Sequence, residues 1–67
     1  MRLSDLQKHL RKHGCVILRE GGNHTIYSNR KNKKNVPVPR HREIKNALVK
    51  SICKQLEIPS PFINVIV

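Results

Sequence analysis

Two periodicities share this chain. Near the start, Leu3, Leu6 and Leu10 recur at helical spacing, and Lys8, Arg11 and Lys12 fill the opposite face. Ser4 with Gln7 three residues later has capping-box spacing, and Asp5 suits the positive end of a helix dipole. Gly14 is a natural stop. A first helix capped by Ser4 is therefore predicted.

The helical period then stops. Cys15-Val16-Ile17-Leu18 is a short run rich in β-branched residues, and Gly21-Gly22 supplies a turn. His24-Thr25-Ile26-Tyr27-Ser28 returns as a second strand, with His24, Ile26 and Ser28 on one face and Thr25 and Tyr27 on the other. Asn29 to Asn35 is a basic polar loop. Val36-Pro37-Val38-Pro39 is at most an edge strand, because proline donates nothing to a ladder. From about Arg42 to Leu56 the helical period resumes, with Ile44, Leu48, Ile52 and Leu56 on one face, His41 as a makeshift cap, and Pro59 and Pro61 as stops.

The predicted architecture is α+β: one small domain ordered α-β-β-β-α, its three-stranded antiparallel sheet covered by both helices on one face. The domain is expected to span residues 1–58. Residues 59–67 form an apolar ending, in which Phe62 to Val67 is β-prone and uncharged.

Composition narrows the function. Fourteen Lys and Arg against four Asp and Glu leave a formal charge of +10 on 67 residues. That balance excludes an acidic or neutral binding module and points to a polyanion, nucleic acid before an acidic protein or an anionic membrane. No apolar run approaches a spanning helix, and the polar start lacks the apolar stretch of a signal peptide. Two cysteines, Cys15 and Cys53, are too few for a disulfide scaffold and are expected in the core. A reduced, cytoplasmic protein away from membranes is expected.

His24 is the leading chemical candidate. It follows Gly21-Gly22-Asn23, where glycine lets a ligand approach the backbone. A histidine on a phosphate-attracting surface can take the proton of an RNA 2′-hydroxyl or give one to the leaving oxygen, with no metal or cofactor needed. The plainer reading is a strand histidine without a role. Arg30, Lys31, Lys33 and Lys34 are candidate phosphate contacts, or else a solvated loop. His41, flanked by Arg40 and Arg42, is a candidate phosphate site at the positive end of the second helix, or else only its cap. His9 and His13 stand one turn apart, but two ligands do not make a metal site.

Leu18-Arg19-Glu20-Gly21-Gly22-Asn23-His24-Thr25-Ile26-Tyr27, Val36-Pro37-Val38-Pro39-Arg40-His41-Arg42-Glu43-Ile44 and Ile52-Cys53-Lys54-Gln55-Leu56 occur in this order. Together they resemble the HicA (YcfA-like) toxins of toxin–antitoxin pairs, small basic messenger-RNA interferases. Asn23 stands where that family's pattern has serine. The resemblance implies a double-stranded-RNA-binding-domain-like fold and an endoribonuclease acting on mRNA. It also implies His24 as the catalytic residue, presented by the turn at Gly22 and Asn23, and a HicB-like antitoxin as partner. The rival expectation is a non-catalytic double-stranded-RNA-binding module of the same fold.

Overall fold

A computed structural model describes residues 1–62, in the order α1 (Leu3–Lys12), β1 (Cys15–Gly21), β2 (His24–Asn29), β3 (Asn35–Pro39) and α2 (Asn46–Leu56). The strands form one antiparallel sheet with β2 in the middle. This is the α+β order expected from the periodicities.

Alternation along the strands divides the sheet into a wet and a dry face. Thr25, Tyr27 and Asn29 of β2 point inward with Val36 and Val38 of β3 and Cys15 of β1. They close a core with Leu6 and Leu10 of α1 and Val49, Ile52, Cys53 and Leu56 of α2. Each buried Leu, Ile or Val contributes about 1.5–3 kcal/mol by leaving water. Tyr27 is the largest of these side chains, and its hydroxyl is buried without a partner at hydrogen-bond geometry. Burial raises its pKa, and Gln7, lying close to it, pulls that back in part.

The prolines of β3 obey the edge-strand rule. Val38 and Val36 lie opposite Thr25 and Tyr27, and just beyond the strand the Arg40 N–H donates to the Asn23 carbonyl at 3.0 Å. Positions 36, 38 and 40 thus carry the ladder. Pro37 and Pro39 occupy the alternate positions, where an N–H would face the free edge.

Three expectations need correction, and two have one cause. α1 begins at Leu3 with Arg2 as its N-cap, and no side chain caps it, so the Ser4–Gln7 box is not formed. α2 begins at Asn46, not Arg42, and its N-cap is Lys45, not His41. Both differences follow from pairing between distant segments. Arg2 bridges Glu43, the Leu3 N–H donates to the Arg42 carbonyl and the Ile44 N–H to the Met1 carbonyl, each at 2.8 Å. That pairing holds residues 42–44 extended and satisfies the first N–H of α1. The third correction concerns the buried stripe of α2. It is Val49, Ile52, Cys53 and Leu56, while Leu48 is 39% exposed and Ile44 is buried ahead of the helix.

α2 ends as expected at Leu56, but by a device the prolines did not announce. Glu57 takes a left-handed φ of 59°, and its N–H and that of Ile58 donate back to Lys54 and Cys53 at 3.1 and 3.0 Å. The Asn29–Asn35 loop completes this end. Asn29 Nδ2 and Asn32 Nδ2 donate to the Leu56 carbonyl at 2.7 and 3.2 Å, and Asn29 Oδ1 accepts from the Lys31 N–H at 2.9 Å. Asn29→Ala removes two of these bonds at a buried position. It should lower the unfolding free energy by about 1–3 kcal/mol, read as an earlier urea midpoint.

Past Ile58, Phe62 is half-buried against the core, with Lys50 Nζ 5.9 Å from its ring centre. The remainder of the expected apolar ending, from residue 63, lies outside the described residues. Among the described residues no helix is long and apolar enough to cross a membrane.

Candidate functional site

The turn between β1 and β2 is two residues long, Gly22 and Asn23, closed by the pair Gly21–His24. Gly22 has a φ of +55°, the positive value that the first central residue of a type II′ hairpin turn requires. No atom lies within 4 Å of where a Cβ on Gly21 or Gly22 would sit, so the approach to this turn is open. His24, the first residue of β2, stands between Gly21 of β1 and Pro39 of β3 and is exposed.

Arg40, the residue after β3, clamps the turn. Besides its backbone bond to Asn23, it donates from its guanidinium to the Gly22 carbonyl and to Glu20 Oε1, the latter at 3.4 Å. The ion pair with Glu20 is exposed and worth under about 1 kcal/mol. Its value is positional, since it ties three strands' ends together around His24. Gly22, Asn23, His24 and Arg40 are thus gathered at one corner of the sheet. His41 follows Arg40 at that corner, exposed and outside any regular element.

Arg30, Lys31, Lys33 and Lys34 are not gathered there. Their loop follows Asn29, at the far end of β2 and about 17 Å from His24 at strand rise. All four lie at the surface, and Lys34 pairs with Glu57 at 3.6 Å beside the α2 terminus. The loop's asparagines hold it to the helix while its cations face solvent.

Arg40 and Arg42 precede α2 by several residues, since the helix starts at Asn46. They line a cavity of about 700 Å³ together with Arg2, Leu3, Ser4 and Gln7 from the first turns of α1. Arg2 and Arg42 were not legible as neighbours, because only the pairing of residues 1–3 with 42–44 juxtaposes them.

The outer face of the sheet continues from His24. A bulge at Leu18 breaks the alternation of β1 and leaves Val16, Ile17 and Leu18 between 41% and 59% exposed. Val16 and Arg19 lie opposite Ser28 and Ile26, so the helix-free face that His24 heads mixes the apolar Val16 and Ile26 with the polar Arg19 and Ser28.

The remaining candidates serve structure. Cys15 and Cys53 are buried and unbridged; burial, then the neighbouring Cys15, pushes the Cys53 thiol up to about 11, which keeps it a protonated core group. His9 Nε2 donates to the Pro59 carbonyl at 2.7 Å, and its ring lies 4.5 Å from that of His13. Partial desolvation, with His9 and Lys12 nearby, lowers the His13 pKa. Among the described residues no three His, Cys, Asp or Glu side chains gather as metal ligands.

Comparison with known proteins returned neither a curated protein nor a solved structure as a match. A family model, described as the HicA toxin of bacterial toxin–antitoxin, matches residues 3–58.

Proposed function

Since the chain belongs to the HicA family, toxins of bacterial toxin–antitoxin systems, we propose that it is a cytoplasmic endoribonuclease that cleaves mRNA with His24 as general base or general acid. The observation that supports this most is the corner itself. An exposed histidine stands at an open glycine turn, with Arg40 bonded to both residues of that turn.

The chemistry needs little else, because the nucleophile belongs to the substrate. As base, the neutral His24 imidazole takes the proton of a ribose 2′-hydroxyl. The oxygen attacks the adjacent phosphorus, the bond to the 5′-oxygen breaks, and that oxygen leaves with a proton from water. The products are a 2′,3′-cyclic phosphate and a 5′-hydroxyl. As acid, the His24 imidazolium instead supplies the leaving oxygen's proton, and water takes that of the 2′-hydroxyl. Gly22 and Asn23 admit the backbone, and Arg40 offers the charge that phosphate oxygens accept. His41, exposed next to Arg40, would contact the strand as it leaves this corner. Arg30, Lys31, Lys33 and Lys34, at the far end of the sheet, attract RNA at longer range.

An antitoxin partner goes with the family. We assign a HicB-like protein to the helix-free face, where the exposed Val16 lies on the same side as His24. Occupying that face would close the histidine to RNA.

The test is cleavage of single-stranded RNA by purified protein in excess EDTA. Cleavage should persist there and leave 2′,3′-cyclic phosphate ends. A single 2′-deoxynucleotide at a mapped cut should abolish that cut alone. Binding without cleavage would replace this reading with the non-catalytic RNA-binding module. Cleavage through a 2′-deoxy position would exclude the 2′-hydroxyl route.

A further inference from the structure

We propose that the cavity between the start of α1 and the β3–α2 connection is a phosphate anchor, holding an RNA backbone phosphate next to the one presented to His24. The inference rests on RNA as the substrate, and it adds a second contact point that sets where the strand lies.

Three guanidinium-bearing residues from two distant segments, Arg2, Arg40 and Arg42, converge on this one concavity, and no carboxylate lines it. Glu43 and Glu20 already have partners, and Asp5, in the first turn of α1, lies outside the lining. Glu43, which bridges Arg2 through the backbone, has its Oε2 2.9 Å from the N-terminal ammonium, and Glu20 is paired with Arg40. Among the described residues neither Arg2 nor Arg42 has an acidic partner. Arg40 is partly neutralised by Glu20, but Arg2 and Arg42 together favour an arriving anion, and guanidinium forks match phosphate oxygens two at a time. Ser4 and Gln7 add neutral donors to the lining, and no side chain caps the first turn of α1.

Continuity with the His24 corner identifies the anion as part of the same strand. Arg40 belongs to both places. It lines the cavity, and its backbone and guanidinium hold Asn23 and Gly22. Pro39, the residue before it, is the pairing partner of His24. A strand whose phosphate sits among Arg2, Arg40 and Arg42 therefore lies beside the turn that leads into the histidine.

The test compares two double variants of equal net charge, Arg2→Gln with Arg42→Gln, and Lys8→Gln with Lys12→Gln. The second pair is exposed on α1 and outside the cavity lining. Binding of a short, uncleavable 2′-O-methyl oligoribonucleotide is followed across salt concentrations, after circular dichroism has checked each fold. The cavity variant should bind about 10-fold more weakly, as expected when a charge-assisted phosphate interaction is removed. Its salt slope should fall by about 0.7 for each phosphate that is no longer neutralised, and the Lys pair should change far less. Equal weakening in both variants would reduce the cavity to diffuse charge and overturn the anchor. Should the parent protein bind no oligonucleotide, RNA as substrate fails by itself. The cavity is then judged with inorganic phosphate, followed by NMR at the Ser4 and Arg42 amides. Shifts abolished in Arg2→Gln with Arg42→Gln sustain an anion site, and their absence in the parent overturns it.

Discussion

Replacing His24 with alanine should leave RNA bound and remove its cleavage, lowering the rate in EDTA by about 10²–10⁴-fold, the range for a positioned acid or base. The substitution is well suited to separating chemistry from folding. His24 is exposed on the helix-free face and contributes nothing to the core. Its backbone pairs with Gly21 and Pro39 survive truncation at Cβ, and the turn stays held through Arg40. Affinity should stay within a few-fold of the parent, since the charges of Arg40 and of the basic loop are untouched. Rates are measured on a mapped RNA cut, with affinity read on an uncleavable oligonucleotide. Equal cleavage by both proteins would remove His24 from the reaction. Loss of binding together with cleavage would make it an RNA contact instead.

Leu10→Ala should lower the same activity by another route, through the folded fraction. Leu10 is fully buried where α1 meets the sheet. Shortening it forfeits the transfer free energy of the missing carbons and leaves a cavity, together about 2–5 kcal/mol. A domain of 67 residues has on the order of 3–10 kcal/mol in all, at roughly 0.05–0.15 kcal/mol per residue. The variant should therefore melt well below the parent. Thermal unfolding by circular dichroism reads the shift directly. A melting temperature within a few degrees of the parent would mean that α1 is not part of the cooperative core. Adding RNA or an antitoxin should recover part of the stability, because a ligand of the folded state alone stabilises it by mass action.

The two variants separate what each residue reports. His24→Ala leaves the melting curve in place and changes the reaction. Leu10→Ala moves the melting curve, and activity follows the folded fraction.

Most of the scaffold could be read along the chain, because the information was local. A 3.6 period marks α1, a β-branched run bounded by glycines marks β1, period two marks β2, and the positive φ of Gly22 is what a two-residue turn before His24 demands. The corner holding Gly22, Asn23 and His24 was legible for the same reason, since three consecutive residues cannot be far apart. The alternation of Thr25 and Tyr27 against His24 and Ile26 also separated the core face from the exposed face.

Where contacts link distant segments, the chain order misled. Ser4 and Gln7 have the spacing of a capping box, yet pairing of Arg2 with Glu43 starts α1 earlier and delays α2 to Asn46. The Asn29–Asn35 loop reads as a basic strip, but Asn29 and Asn32 tie it to the end of α2, far from His24. Val49 and Cys53, not Leu48, face the core, because the start and tilt of a helix set which of its stripes is buried.

Local sterics and periodicity were thus enough for the order of elements, the two faces of β2 and the turn that presents His24, and the charge follows from composition alone. Two features came from folding in three dimensions: the Arg40 clamp on that turn, and the meeting of Arg2 with Arg40 and Arg42 around one cavity. Those contacts join residues up to about forty positions apart, and no local propensity encodes which distant backbone groups will satisfy one another.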